Sequence, residues 1–345
     1  MTRPQARIFF ICIGLAVLSF SWVASAMDWK AYQQAFVSGD GRVVDFFQNS
    51  ISHSEGQGYG LLLALMNGDR PAFERMVKWT TDNLQVRRDA LFAWSWGQRP
   101  NGEWNVIDYN NASDGDILIA FALLKAADRW GHPPFGEAAR RILRDVRAHL
   151  TVSPQDYQLI APAYFGFNGQ SSNIFNTGYL VLPAFAEFAR VDDEAYWKRI
   201  LRDSQRLLEK AAFSSFKLPA DWVALENGQV IIAASRSAFF GFEAIRVPLY
   251  LVWQGAGDRL RSFSAYLDFI ERAGYLPSRV NLIDGSMSGH EAPAGFHAVM
   301  GLCAERLGRA ALAQKLFQEA GSRLSREPKD YYSNSLFLLA TGKLD

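Results

Sequence analysis

Cysteine is scarce in this sequence of 345 residues, and its scarcity excludes a fold held together by disulfides. The two cysteines are Cys12 and Cys303, and the first lies in an apolar leader that we expect to be removed. The remaining chain has no intramolecular disulfide and must rely on its core, which a chain of this length can build. The five histidines show no metal-ligand spacing and predict no metal site.

An excess of basic residues is also absent. The 36 lysines and arginines nearly balance the 35 aspartates and glutamates, which gives a formal charge of +1. Without the leader, which carries Arg3 and Arg7, 34 basic residues face 35 acidic ones. Because no concentrated positive surface is predicted, nucleic acid is excluded as a partner.

Long apolar runs are missing apart from one, which is too short for a comfortable membrane span. It covers 8–20, follows Arg3 and Arg7, and precedes Ala-Ser-Ala at 24–26. This order is typical of a signal peptide, so we expect cleavage after Ala26 and no membrane span in the mature chain. An uncleaved anchor is the alternative. The expected location is the periplasm, with full secretion left open.

Alternating strand patterns are scarce, and helical periodicity runs through most of the chain. Six segments are apolar nearly all round and are predicted to be buried helices: 56–66, 115–127, 175–188, 239–253, 294–307 and 331–340. Six segments with a charged face alternate with them: 29–36, 70–84, 136–150, 193–212, 258–273 and 309–324.

This alternation predicts an all-α fold, an (α/α)6 barrel of about twelve helices in which an outer ring wraps an inner ring. No linker rich in proline, glycine or serine divides the chain, so residues 27–345 are predicted to form a single domain. An irregular helical bundle is the alternative. In the barrel, consecutive inner helices run parallel, and their N-termini open on one face.

Two acidic motifs lie at such N-termini. S-E-G-Q-G-Y-G at 54–60 contains Glu55, and A-S-D-G-D at 112–116 contains Asp114. The two carboxylates are distant in sequence but are expected to converge at one mouth. Hydrolysis of a glycosidic bond needs one carboxyl group that donates a proton and one that stays ionised. The glycines around Glu55 are expected to let a bulky substrate approach.

Each acid also has a structural interpretation. Glu55 can be a first-turn acid that stabilises its helix, Asp114 an N-cap and Asp116 another first-turn acid. The D-x-D pair with Asp108 nearby could bind calcium, but the rest of an EF-type loop is absent. The local sequence leaves these alternatives open.

Aromatic residues favour a sugar ligand. They concentrate in the segments between helices: Trp94, Trp96, Trp104, Tyr109, Tyr164, Trp222, Tyr331 and Tyr332. Flat rings can stack on the C–H faces of pyranose units. Plugging of the barrel ends by amphipathic rings is the alternative.

These motifs together resemble glycoside hydrolase family 8, and more closely its periplasmic endoglucanases that accompany bacterial cellulose synthases. The S-E-G-Q-G-Y-G stretch and the long signature from Ala112 to Trp130 carry the resemblance, which covers nearly the whole mature chain. W-S-W at 94–96, A-D-W at 220–222, A-I-R at 244–246 and P-A-G-F at 293–296 also fit.

The resemblance implies an (α/α)6 barrel, an inverting mechanism, β-1,4-glucan substrates and no cofactor or metal. It implies a cellulase that degrades polysaccharide while trimming nascent cellulose beside the synthase and export machinery. It assigns Glu55 as proton donor and Asp114 as the signature's active-site acid, either nucleophile or grip on the distorted sugar. The residues expected to bind substrate are Trp94, Trp96, Tyr109, Asp116, Tyr164, Asp221, Trp222 and Arg246.

Two departures from the family pattern bear on the site. The general base of many members is an Asp within F-x-Y-D-A, where this chain has Phe242 and Glu243. Glu243 is therefore the expected base, with its charge moved by roughly 1.5 Å in a pair that needs about 6.5–9.5 Å for a water. It could instead simply tether Arg246, three residues on. The family's N-P-S-Y segment is matched to A-P-A-Y at 161–164, which ends in Tyr164.

Three other functions compete with an endo-β-1,4-glucanase. An altered base would suit a glycan-binding accessory of cellulose export with little turnover. The same chemistry could act on xylan, chitosan or mixed-linkage β-glucan. A polysaccharide lyase of helical-toroid fold would need a Tyr/His or Arg/His constellation and a basic groove, which the balanced charge disfavours.

Overall fold

A computed structural model of the protein describes residues 28–169 and 172–344. Its α-helices, in chain order, are α1 (Trp29–Phe36), α2 (Ser54–Met66), α3 (Arg70–Leu84), α4 (Ser113–Trp130), α5 (Pro133–Leu150), α6 (Leu182–Val191), α7 (Glu194–Lys210), α8 (Arg246–Trp253), α9 (Gly257–Leu260), α10 (Ser264–Ala273), α11 (Ala294–Arg306), α12 (Ala310–Leu324) and α13 (Tyr331–Thr341). Within these described ranges, twelve helices have eight residues or more, and α9 has four.

Six of the helices close into an inner ring. Helix α2 contacts α4, and contacts then run from α4 to α6, α8, α11, α13 and back to α2. Helices α3, α5, α7 and α12 each cover the inner helix that precedes them, and α1 contacts α13. The predicted (α/α)6 barrel is therefore confirmed.

Burial follows the sequence pattern that predicted the two rings. Every residue of α2 except Glu55 and Met66 is buried, whereas α7 buries one stripe containing Trp197, Ile200 and Leu207. The spacing of that stripe, three or four residues apart, is the apolar face of an amphipathic helix. Helices that are apolar all round therefore form the inner ring, and amphipathic helices cover it.

Two predicted inner helices begin later than expected. The segments predicted as 175–188 and 239–253 start at Leu182 and Arg246, about one or two turns into each range. Each observed helix has a proline in its first turn, Pro183 or Pro248. Because a proline is tolerated in a first turn but breaks a helix interior, the helices cannot extend further towards the N-terminus.

The chain before these two helices forms short strands. Five small antiparallel sheets lie between helices in the described chain, and the element prediction missed them. Their strands are Ser52–His53, Ser95–Gln98 and Trp104–Asp108 in one sheet; Gln229–Ile232, Trp222–Glu226 and Asn173–Asn176 in a second; and the pairs Phe239–Phe240 with Val280–Asn281, Thr151–Val152 with Leu159–Ile160, and Ala212–Phe213 with Leu218–Pro219.

The expected leader at 1–26 lies outside the described residues. Across 28–169 and 172–344, no helix combines the length and the apolar character needed to cross a membrane.

Candidate active site

The starts of the inner helices meet at one mouth of the barrel. A cavity of about 350 Å³ opens there. The chain at and just before the beginnings of α2, α4, α6, α8 and α13 contributes to its lining, as parallel inner helices predict. The residues that line the cavity are Asp45, Phe47, Gln48, His53, Ser54, Glu55, Trp94, Ala112, Asp114, Tyr179, Phe242, Glu243, Asp330, Tyr331 and Tyr332. Glu55 and Asp114, separated by a helical hairpin in sequence, thus open on the same cavity.

A glycine allows these two carboxylates to come together. A Cβ atom on Gly115 would overlap the side chain and backbone of Ser54, so only glycine lets α4 begin directly against α2. Gly58 likewise lies against Leu118, and a Cβ there would come within 2.7 Å of the leucine Cβ. These glycines therefore serve helix packing, whereas the sequence had suggested that those beside Glu55 admit the substrate.

Arg246 is the centre of the site. Its Nη1 donates to Glu55 Oε2 at 2.5 Å and to Asp114 Oδ2 at 2.9 Å, and its Nη2 donates to Glu243 Oε2. Its side chain is only 1% exposed. One buried guanidinium therefore holds all three predicted catalytic carboxylates, with five donors that suit such sharing. Arg246 was expected to bind substrate, but it contacts the acids instead.

The surroundings favour a proton on this cluster. Burial, followed by the charge of Glu55, raises the pKa of Asp114 well above its usual value, although Arg246 opposes the shift. Burial also raises the pKa of Glu243, again against the attraction of Arg246. Three carboxylates around one cation leave a net negative charge in a buried place, so such a group retains a proton more readily than free acids do. This is the property that acid–base chemistry requires.

Glu243 lies in a turn that precedes α8, and Asp221 holds that turn. Asp221 Oδ1 accepts the backbone N–H groups of Gly241, Glu243 and Ala244 at 2.9, 3.2 and 2.9 Å. Asp221 is buried, and its other oxygen accepts the hydroxyl of Ser237 at 3.1 Å. The carboxylate of Asp221 is therefore occupied by protein donors, which does not fit the expected contact with substrate and gives it a role in placing Glu243.

Glu55 is held on its second oxygen by a tyrosine. The hydroxyl of Tyr331 donates to Glu55 Oε1 at 2.9 Å. The ring of His53 meets that of Tyr331 edge-on, with 5.1 Å between centroids, and Nε2 of His53 lies 3.5 Å from Asp45 Oδ2. Glu55 is thus fixed from two sides, by Arg246 and by Tyr331.

Aromatic rings surround the acids. Trp94 lines the cavity on one side, and Tyr179, Phe242 and Tyr332 line it on others. Trp222 extends the surface beyond Tyr179, with ring centroids 6.0 Å apart, and stacks on Phe167 with an interplanar angle of 5°. Trp94 and Trp222 are thus positioned where sugar-binding rings were expected.

Other predicted residues lie away from the cavity. Asp116 is fully buried, and its carboxylate accepts the backbone N–H of Phe92 and the amide of Asn111, so it is not available to substrate. Burial raises the pKa of Asp116 to about 7. Trp96 packs between Trp79 and Trp104 in the small sheet that begins at Ser52.

Tyr109 and Tyr164 are exposed, and neither lines the cavity. A tyrosine that does line the cavity, beside Tyr331 and Tyr332, is Tyr179, in the sequence Asn176-Thr177-Gly178-Tyr179. This segment keeps the Asn and the Tyr of the N-P-S-Y motif, so a search for that motif could have identified Tyr179 from the sequence. Gly178 is required there, since a Cβ would overlap the carbonyl of Glu243.

Tyr331 and Tyr332 stood out in the sequence only as two of many aromatic residues. His53 and Asp45 gave no signal that connected them with Glu55. Among the described residues, no group of three or more histidines, cysteines, aspartates or glutamates is arranged to hold a metal ion.

Comparison with known proteins identifies the family to which this arrangement of acids is related. The profile described as "Glycosyl hydrolases family 8" matches residues 1–344. A probable endoglucanase of Novacetimonas hansenii is 36% identical over 324 residues, which cover 92% of this chain and 90% of that protein. An endoglucanase of Escherichia coli (strain K12) is 31% identical over 296 residues, or 83% of this chain and 79% of that protein.

Solved structures agree with the sequence comparison. The endo-beta-1,4-glucanase CMCax from Acetobacter xylinum superimposes with a TM-score of 0.80 at 34% identity, over 90% of this chain and 95% of that one. Endoglucanase Cel10 from Klebsiella pneumoniae, a family 8 glycosyl hydrolase, gives a TM-score of 0.81 at 32% identity, over 90% and 96% of the two chains. The resemblance drawn from the sequence motifs is confirmed.

Proposed function

The chain belongs to family 8 of the glycosyl hydrolases, and on that premise we propose that it is an endo-acting β-1,4-glucanase, a cellulase that inverts the anomeric carbon. Inversion is general in this family. Relatives similar over most of the chain are named endoglucanases, and one solved relative is named an endo-β-1,4-glucanase. The observation that carries the proposal is the set of three carboxylates on Arg246, facing a cavity lined by aromatic rings.

In the proposed reaction, Glu55 donates a proton to the glycosidic oxygen as the bond to the anomeric carbon breaks. Glu243 removes a proton from a water that attacks the opposite face of the sugar. Asp114 binds the distorted sugar ring beside Glu55 and Glu243. Burial and the neighbouring acids raise the pKa values of Asp114 and Glu243, so these two groups hold a proton more readily than free acids do.

We infer that Glu243 leaves Arg246 to hold a water, because Oε2 of its carboxylate accepts from the guanidinium in this structure. An inverting pair needs roughly 6.5–9.5 Å between its carboxyl groups to seat that water. Asn176 offers a partner for the released carboxylate, because its buried Nδ2 lies beside Glu243, whose pKa it lowers against the effect of burial. We expect substrate to fill the cavity and to move Glu243 towards Asn176.

The decisive experiment measures both the reaction and its stereochemistry. The protein should release reducing sugar from carboxymethyl cellulose, and NMR of the first product should detect the α-anomer. Glu243→Gln should bind cello-oligosaccharides yet hydrolyse them far more slowly. Normal hydrolysis by this variant would move the base role to another acid. Binding without any hydrolysis by the unmodified protein would replace the enzyme with a glycan-binding accessory.

The place of action is part of the proposal. A leader-like segment at 1–26 and the resemblance to endoglucanases that accompany cellulose synthases support a periplasmic enzyme that trims nascent cellulose. Fractionation of cells that produce the protein should recover it from the periplasm, shortened at Ala26. Retention of the full-length chain in the membrane fraction would favour an anchored protein instead.

A further inference from the structure

A histidine caps the helix that carries Glu55. Nδ1 of His53 accepts the backbone N–H of Gly56 at 3.2 Å, which satisfies one of the free donors at the start of α2. N-caps are usually serine, threonine, aspartate or asparagine, whose accepting atom is an oxygen. An imidazole differs because it takes up a proton near neutral pH. The accepting atom of this cap can therefore be lost by protonation.

The ring of His53 is buried among groups of the active site. Its Nε2 faces Asp45 at 3.5 Å, and the hydroxyl of Tyr331 lies 3.5 Å from its Nδ1. A Cβ on Gly56 would come within 3.3 Å of the ring of Tyr331 and 3.4 Å of Nδ1, so both rings lie on the first turn of α2. The titratable groups that face this ring are Asp45 from the preceding loop, Glu55 from α2, and Asp330 and Tyr331 from the start of α13.

The hydrogen bonds assign the proton of the neutral ring. Because Nδ1 accepts from Gly56, the ring proton belongs on Nε2, where it is directed to Asp45. A second proton would place an N–H on Nδ1, opposite the N–H of Gly56. Two donors would then face each other, and the cap would be lost.

We propose that His53 is a positioning residue for the proton donor and that it acts only as a neutral ring. Its Nδ1 holds the first turn of α2, which carries Glu55, and its ring packs against that of Tyr331, whose hydroxyl donates to Glu55. Protonation in acid releases the first turn and lowers turnover. This inference rests on the proposed role of Glu55 as the acid.

The test compares pH profiles of kcat and KM on a soluble cello-oligosaccharide. In His53→Ser, the serine oxygen still caps α2 but does not titrate, so kcat should persist at acid pH values where that of the unmodified enzyme has fallen. At neutral pH the variant should lose less than about tenfold in kcat, since the cap remains.

His132 provides a matched control. It immediately precedes α5, as His53 precedes α2, but its side chain makes no capping hydrogen bond. His132→Ser should leave the profile unchanged. An acid limb that is the same in His53→Ser and the unmodified enzyme would overturn the proposal.

NMR of the unmodified protein tests the cap without relying on activity. The ¹⁵N shifts of labelled histidine should identify Nδ1 of His53 as unprotonated at neutral pH, and the Gly56 amide should exchange faster as the ring is protonated. A proton on Nδ1 at neutral pH would overturn the proposal even if His53→Ser fails to fold. Absence of hydrolysis by every variant at every pH would instead contradict the enzymatic function, while the NMR result would still decide the cap.

Discussion

The two walls of the cavity hold their carboxylates in different ways. The donor wall, formed by the starts of α2 and α4 with Tyr331, fixes Glu55 through both oxygens. The base wall, formed by residues 176–179 and the turn at 241–245, presents a Glu243 side chain that is 32% exposed, against 19% for Glu55. Arg246 holds Glu243 through one oxygen.

This difference follows from the backbone beneath each acid. Glu55 is in the first turn of a helix buried nearly all round, and Gly115 seats α4 directly against that turn. Glu243 is in a turn whose position depends on Asp221 and on the short strands before it. In the proposed reaction the proton donor keeps one position, whereas the base exchanges its bond to Arg246 for a water. The fixed wall and the movable wall therefore suit the two roles.

The largest expected effect is on the donor wall. Glu55→Gln keeps the shape and the hydrogen bonds from Tyr331 and Arg246 but cannot donate a proton usefully. Turnover of cello-oligosaccharides should fall by roughly 10²- to 10⁴-fold, while glucan binding and thermal stability change little. Near-normal turnover would reduce Glu55 to an acid that stabilises the start of its helix.

The second-largest expected effect concerns Arg246, which contacts carboxylates on both walls. Arg246→Met leaves three carboxylates, of which that of Asp114 is fully buried, without their cation, so the free energy of unfolding should fall by about 3–5 kcal/mol at neutral pH. Burial already raises the pKa of Asp114 and Glu243, so the folded protein binds protons more readily than the unfolded chain does. Stability from these groups therefore falls as the pH rises through their folded pKa values.

Removing Arg246 raises the pKa values of Asp114 and Glu243 further. The loss of unfolding free energy in Arg246→Met should therefore become smaller as the pH is lowered. Urea unfolding of the variant and the unmodified protein at acid and neutral pH measures this directly. A loss of unfolding free energy that stays constant with pH would mean that the packing of the arginine side chain, and not its charge, stabilises the three carboxylates.

A smaller effect tests the support of the base wall. Asp221→Ala leaves the backbone N–H groups of Gly241, Glu243 and Ala244 without their acceptor, so stability should fall by about 1–3 kcal/mol. Because the turn that carries Glu243 loosens, kcat should fall more than glucan affinity. Asp116→Ala is the matched control, since Asp116 is a buried carboxylate that supports the donor wall through Phe92 and Asn111. If kcat is unchanged in Asp221→Ala, the support that Asp221 gives to the turn at 241–245 is not needed for catalysis.

The walls also differ in what their sequences predict. Glu55 and Asp114 follow from local patterns, because a small-residue segment leads directly into an apolar helix and parallel inner helices bring their starts together. The late starts of α6 and α8 could have been inferred from Pro183 and Pro248. The pairing of Asn173–Asn176 with Trp222–Glu226 could not, since partners so distant in sequence are chosen by the closed ring.

Arg246 illustrates the same limit. Its place in A-I-R marked it as a residue of the site, and a contact with Glu243 three residues before it was foreseeable. Its bonds to Glu55 and Asp114 join residues 191 and 132 positions apart in the chain. These bonds form only once the ring of helices has closed, so the family resemblance alone, which assigned Arg246 to the substrate, could not predict them.

The smallest expected effect is the sharpest test of the two walls, because one methylene is removed from each. Glu55→Asp withdraws the carboxylate from Tyr331 and Arg246 on the fixed wall, and turnover should fall by roughly 10²-fold. Glu243→Asp makes the same deletion, which moves the charge by about 1.5 Å, on a wall that already has to move. Its turnover should stay within about tenfold of the unmodified enzyme, on either side. Equal losses in the two variants, measured as kcat on cellotetraose, would show that the base wall is as rigid as the donor wall and that Glu243 does not change partners.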